Sequence, residues 1–273
     1  MPVIALLTDF GLSDPYVGIM KGVILFICPQ ASIVDVSHDV APQDIREAAY
    51  LLDAAYPYFP EKTVHTVVVD PGVGTGRAIV AVQNAGHYFL APDNGVLTKV
   101  LAGRELQAAV RVENPAYFIQ PVSRTFHGRD IFAPVAAHMA EGKSLDAFGP
   151  RISAEDMVQL ELPAAYLSEK GEVAGAVITA DRFGNMITNI PENLVQQLAP
   201  GTDESRLQVQ VGAYEIKGLS ASYQAVFPGE LLAIIGSRGY LEISVNQGDA
   251  RAFCGVGKDA RVVVKVQGLR CRV

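Results

Sequence analysis

The strongest constraint on the fold is an alternation, over residues 3–91, of short and mostly apolar runs with stretches that are apolar at helical spacing. Val3–Thr8 (VIALLT), 32–36 (SIVDV) and 63–69 (TVHTVVV) read as strands. Tyr16–Ile27 and 43–56 read as helices, the second opening on Pro-Gln-Asp, which suits a first turn. Further strands are expected at 78–83 and 88–91. Strands apolar on both faces must be covered on both. The β-α-β-α-β order therefore predicts an α/β domain with a mostly parallel sheet and flanking helices.

From about Gly171 the pattern changes. Glu172–Ala180, Leu207–Val211, Tyr214–Lys217, Leu231–Ile235, 241–245 and 262–266 are short β-rich runs separated by turn residues, with a helical pattern only at 191–197. This spacing predicts a smaller, antiparallel, barrel-like domain. The expected domain boundary lies in the polar stretch 163–171 (PAAYLSEKG), which ends in glycine, and makes the domains 1–165 and 172–273.

Composition narrows the partners. The 273 residues carry a formal net charge of -7 with no run of like charges, which argues against nucleic acid or an anionic membrane and leaves room for a cationic small molecule. Cys28, Cys254 and Cys271 are far apart and lack CxxC spacing, so neither a disulfide framework nor a zinc site is expected. No apolar stretch reaches the roughly 18 residues of a membrane span. The opening MPVIALLTDF is too short and lacks the basic flank of a signal segment. A soluble, cytoplasmic protein is expected.

Three segments of the first half could carry chemistry. Thr8-Asp9-Phe10-Gly11 puts a carboxylate at the end of the first strand, where parallel sheets bind ligands. Asp9 could accept hydrogen bonds from vicinal hydroxyls, and Asp14 could face an ammonium group; alone, both also fit as caps of the helix at Tyr16. In 67–77 (VVVDPGVGTGR) a strand runs into Asp70, a glycine-rich loop and Arg77. The loop lacks both GxGxxG and GK[ST], so it is not a phosphate loop. It fits an ordinary turn as well as an Asp-Arg pair that orients a carboxylate. His127 lies in Thr125-Phe126-His127-Gly128-Arg129-Asp130, ahead of an apolar helical stretch. A loop histidine is as readily structural, but this setting distinguishes it from His38, His65, His87 and His138, which read as surface or core-edge residues. In the second half, 181–185 (DRFGN), 236–240 (GSRGY) and 246–250 (NQGDA) could recognise a zwitterion and a purine edge, and fit plain β-turns equally.

In this order TDFG, DPGVGTGR, APDNG (91–95), TFHGRDIFAP, DRFGN, FPGE and GSRGYLEI resemble the S-adenosyl-L-methionine (SAM) hydroxide adenosyltransferase family, the SAM hydrolases, which are relatives of the SAM-dependent fluorinase and chlorinase. The resemblance implies a homotrimer, with SAM bound between one subunit's N-terminal domain and its neighbour's C-terminal domain. It implies that Asp9 holds the ribose hydroxyls and that Asp14 lies near the methionine end. Asp181, Ser237 and Arg238 would organise the methionine ammonium and carboxylate. Asn185 and the backbone from Val245 would address adenine, with Tyr223 as the stacking aromatic. Asp70, Arg77 and His127 match the hydrolase triad. Halogenating relatives carry tyrosine at the Asp70 position and a small contact near Gly128 that helps hold halide. The implied reaction is hydrolysis of SAM to adenosine and L-methionine by in-line attack of water at ribose C5′, with Asp70 or His127 as proton acceptor. SAM is then the substrate, and no cofactor or metal is implied. A SAM-dependent halogenase and a non-catalytic SAM- or adenosine-binding module are the alternatives; a methyltransferase fits poorly, because TDFGLSD is not a glycine-rich first loop.

Overall fold

Successive residues of a strand face opposite ways, and the apolar runs sort by that parity. Ile4 and Leu6, Val64 and Val68, and Ile79 and Ala81 enter one core cluster, while Leu7, Val67, Val80 and Val82 enter another. The computed structural model describes residues 1–198, 201 and 204–267, so Cys271 lies outside the described residues. It divides into two units, Met1–Glu161 and Leu162–Val273.

The first unit runs β1 (Val3–Thr8), α1 (Tyr16–Ile27), β2 (Ser32–Ser37), α2 (Ile45–Ala55), β3 (Val64–Val68), β4 (Ile79–Asn84), β5 (His87–Pro92), α3 (Thr98–Leu101), β6 (Ala108–Arg111), a π-helical turn (Gly128–Phe132) and α4 (Ala133–Ala140). The sheet order is β2-β1-β3-β5-β4-β6. The first three pairings are parallel, while β4 is antiparallel to both of its neighbours. The exception has a local cause: Ala85 and Gly86 both have positive φ (49° and 80°), the geometry of a two-residue hairpin turn. α1 and α4 cover one face through Met20, Ile24, Val135 and Ala136. α2 and α3 cover the other through Ala48, Leu52 and Val100. The helix expected from 43 starts at Ile45, because Gln43 adopts φ 66° and Asp44 is the cap, accepting from Glu47 N at 3.0 Å.

The second unit contains β7 (Tyr166–Leu167), β8 (Glu172–Ala180), β9 (Met186–Pro191), α5 (Glu192–Leu198), β10 (Leu207–Val211), β11 (Tyr214–Lys217), β12 (Leu231–Ile235), β13 (Tyr240–Val245), α6 (Ala250–Cys254) and β14 (Arg261–Val266). The order β11-β10-β14-β8-β9-β13-β12, with β7 on β8, is antiparallel throughout. Ser220 N, just beyond β11, donates to Ala233 O of β12 at 2.7 Å and brings the two ends of the sheet together, so it is nearly closed. The core is aliphatic, centred on Met186, Ile190, Val209, Leu241 and Val264.

Within the stretch 163–171, Tyr166 and Leu167 pair with Ala174 and Val173, and Pro163 O accepts from Asn189 Nδ2 at 2.6 Å. Thr188 and Asn189 lie inside β9. Thr188 Oγ1 donates to Leu241 O at 2.8 Å, and Asn189 Oδ1 accepts from Ala176 N at 2.8 Å, near the irregular β8–β9 register.

Candidate active site

The parallel pairing of β1 with β3 sets Thr8 opposite Val68. Asp9 and Asp70 therefore leave the sheet at the carboxyl ends of adjacent strands, where such sheets bind ligands. A cleft of about 390 Å³ opens there, lined by Asp9, Asp70, His127 and Gly128 with the aromatic rings of Phe10, Tyr16 and Phe126. Those rings pack on one another, with Tyr16 and Phe126 edge-to-face at 5.0 Å. A Cβ on Gly128 would stand 3.1 Å from both Met20 Sδ and the Phe126 ring, so the aromatic wall closes over bare backbone.

Arg77 organises the floor. Its Nε lies 2.9 Å from each oxygen of Asp70, and Nη2 pairs with Oδ2 as well. The two side chains are nearly buried, at 10% and 5% exposed, so the pair is fixed rather than solvated. Nη2 also lies 3.0 Å from His127 Nδ1, and the guanidinium stands 5.7 Å from the Phe132 ring centroid. The loop between Asp70 and Arg77 needs its middle glycine: Gly74 has φ 76°, and a Cβ there would fall 2.2 Å from Arg124 O. That approach brings the loop against the chain entering Thr125-Phe126-His127.

His127 precedes the π-helical turn, an irregularity common at functional sites. Burial depresses its pKa below the usual value, and the Arg77 charge acts the same way. Asp70, Asp130 and a hydrogen bond with the Ser123 backbone oppose this without prevailing. Asp130 is fully buried and accepts from Arg129 Nε at 2.6 Å and Ser123 N at 2.7 Å. Burial resists its ionisation, but these bonds outweigh it and hold the carboxyl below its usual range. Asp9 accepts from Gln43 N at 2.8 Å. Asp14 is exposed, lies outside the lining of this cleft, and precedes a helix whose cap position is Pro15.

A second cleft, of about 680 Å³, lies in the second unit and includes Asp181, Phe183, Asn185, Tyr223 and Val245. Asp181 Oδ1 accepts from Phe183 N and Asn185 N, both at 2.9 Å, and Oδ2 accepts from Asn185 Nδ2 at 3.0 Å. Tyr223 donates its hydroxyl to the buried Glu242 at 2.7 Å. Burial, reinforced by that carboxylate, pushes its pKa up to about 12. Ser237 and Arg238 are exposed on the β12–β13 turn and do not line this cleft. Among the described residues, no group of three or more His, Cys, Asp or Glu side chains is placed to hold a metal ion.

The family model for the SAM hydroxide adenosyltransferase N-terminal domain matches residues 4–149, and that for the C-terminal domain matches 175–263. The chain belongs to the SAM hydroxide adenosyltransferase family. It is 38% identical over 262 residues to the (R)-S-adenosyl-L-methionine hydrolase of Thermus thermophilus, covering 92% of this chain and 94% of the relative. The fluorinase of Nocardia brasiliensis is 30% identical, covering 90% of each chain. Among solved structures, an uncharacterised conserved protein from Thermotoga maritima superposes with a TM-score of 0.88 at 40% identity, covering 96% of this chain and 99% of that one.

Within this adenosyltransferase frame, the motif APDNG has a specific task. Asn94 Nδ2 donates to Val69 O at 2.9 Å and fixes the backbone just before Asp70. The aromatic wall of Phe10, Tyr16 and Phe126 escaped the reading of the sequence for chemistry, although each ring sits within seven residues of Asp9 or beside His127. Its signal was adjacency to polar motifs rather than any spacing of its own.

Proposed function

We propose that the chain hydrolyses SAM to adenosine and L-methionine, with Asp70, Arg77 and His127 as the catalytic set. The observation that carries this reading is the Asp70 carboxylate, clamped by Arg77 at the floor of an aromatic-walled cleft. Each Asp70 oxygen keeps lone-pair capacity beyond the Arg77 bonds, so the carboxylate can hold a water and take its proton. The water oxygen bonds to ribose C5′ as the C5′–S bond breaks, and its electron pair returns to sulfur. Methionine leaves as a neutral thioether and one proton is released. Departure cancels a positive charge, so little leaving-group assistance is needed, and orientation in an enclosed site supplies much of the rate.

His127 serves here as acceptor for Arg77 rather than as base. An arginine N–H can only donate, so the facing Nδ1 must be unprotonated, in keeping with the depressed pKa. Asp9 holds the ribose hydroxyls, and the aromatic wall with Gly128 encloses the sugar. Asp181, Asn185, Tyr223 and Val245 form the adenine and methionine side, with Ser237, Arg238 and Asp14 at the methionine terminus. A carboxylate at position 70 disfavours a halide nucleophile by like-charge repulsion.

The working enzyme in this reading is a homotrimer in the reducing cytoplasm, in which each SAM is shared by clefts of two subunits. The apolar exposure of α1 supports self-association: Ile19, Leu25 and Phe26 are 38%, 45% and 89% exposed. A scattering mass near one subunit would contradict it. The test of the reaction is incubation with SAM and halide in oxygen-18 water, with chromatographic separation of the products. Adenosine labelled at the 5′ oxygen, with methionine, supports hydrolysis. A 5′-halogenated nucleoside, methylthioadenosine or unchanged SAM overturns it.

A further inference from the structure

His38 read in the sequence as a core-edge residue, yet it is buried with a polar group at each ring nitrogen. Its Nε2 lies 3.0 Å from Asp35 Oδ1, at ion-pairing distance though off the line of a good hydrogen bond. Asp35 is in turn held by Lys21 Nζ at 2.6 Å. Nδ1 lies 2.9 Å from Oγ1 of Thr8, which is fully buried. The imidazole and the Thr8 hydroxyl thus share a buried hydrogen bond. That hydroxyl oxygen then accepts from Phe10 N at 3.3 Å, while His38 O accepts from Gly11 N at 2.8 Å. The residue enclosed by these contacts is Asp9, whose Oδ2 is further fixed by Gln43 N.

The geometry points to His38 and Thr8 as positioning residues that aim the Asp9 carboxylate at the vicinal hydroxyls of a nucleoside, and so set the preference for ribose over 2′-deoxyribose. This rests on Asp9 holding the ribose. Neither His38 nor Thr8 lines the cleft, so both act through the 9–11 backbone.

The test compares adenosine with 2′-deoxyadenosine by calorimetric titration, alongside kcat and KM for SAM, in Asp9→Asn, Thr8→Val, Thr8→Ser, His38→Leu and His38→Asn. Thr8→Val keeps the shape and removes the hydroxyl. It and His38→Leu should reduce the ribose preference by about tenfold, the scale of one lost hydrogen bond, and raise KM by more than they lower kcat. Thr8→Ser, and His38→Asn with an amide oxygen near the Nδ1 position, should restore most of the preference. If Asp9→Asn leaves the preference intact, the reading of Asp9 is wrong. If Asp9→Asn abolishes it while Thr8→Val and His38→Leu preserve it, or lower only the thermal midpoint, the positioning role is overturned.

Discussion

Arg77 Nη2 lies 3.0 Å from His127 Nδ1 while the same guanidinium clamps Asp70, so one side chain couples a carboxylate and an imidazole 57 residues apart in sequence. The coupling holds only while Nδ1 is free of a proton. Burial first, and the Arg77 charge second, favour that state by depressing the pKa below 6.5. Activity should therefore be flat from neutrality upward. It should fall as acid drives the ring to its charged form, at a pH below 6.5. A kcat–pH profile for SAM hydrolysis checks this; a limb centred above 7 would show that His127 is not held neutral.

Arg77→Lys tests the clamp. Lysine is a point charge with no planar fork, and it cannot bond both Asp70 oxygens and His127 in the same geometry. The kcat should drop by about a hundredfold while adenosine affinity, measured by calorimetry, changes by less than about threefold. Asp70→Asn keeps the shape and removes the proton acceptor, so it should lose at least as much kcat. Parallel loss of adenosine binding in both variants would assign the pair to ligand binding or folding.

Much of the first unit was legible: β1, buried along both faces, and α1 have the bounds their apolar patterns predict. β9 was not legible. MITNIP carries Thr188 and Asn189, whose partners, Leu241 O and Ala176 N, come from strands that no local pattern links to them. The strands β4 and β5 were expected but their antiparallel pairing was not, since the turn Asn84-Ala85-Gly86 holds a positive-φ alanine. At the site, the sequence marks Asp70 and Arg77 as neighbours on one loop. It contains nothing local that brings His127 to them, because that meeting depends on Gly74 lying against Arg124 O.

Gly74→Ala follows from that contact. The added methyl meets a backbone oxygen at 2.2 Å and must adopt φ 76°, so neither a rotamer change nor a small side-chain shift relieves it. Urea unfolding should show a loss of about 2–4 kcal/mol, and hydrolysis should fall further than stability alone requires, because the displaced loop carries both Asp70 and Arg77. Gly76→Ala, whose added methyl would meet nothing within 4 Å, is the control and should be close to neutral in stability.

The histidine pair His65 and His87 lies away from the cleft and should make the fold sensitive to acid. His65 is 1% exposed, stacks on Phe89 at 5.2 Å, and has Nε2 3.3 Å from His87 Nδ1. Its Nδ1 has no hydrogen-bond partner. Burial, then the His87 charge, pushes its pKa from 6.5 down to about 3. Above 6.5 both folded and unfolded chains carry it neutral, and it contributes no pH dependence. Between 6.5 and about 3 the unfolded chain binds a proton that the folded chain refuses, so stability falls by up to about 1.4 kcal/mol per pH unit on acidification. His65→Phe removes that titration and offers the aromatic neighbours a ring of similar shape. Between pH 6.5 and 4.5, urea unfolding should show the wild type losing about 2 kcal/mol more than the variant. Coincident acid limbs would mean that His65 takes up its proton in the folded protein too.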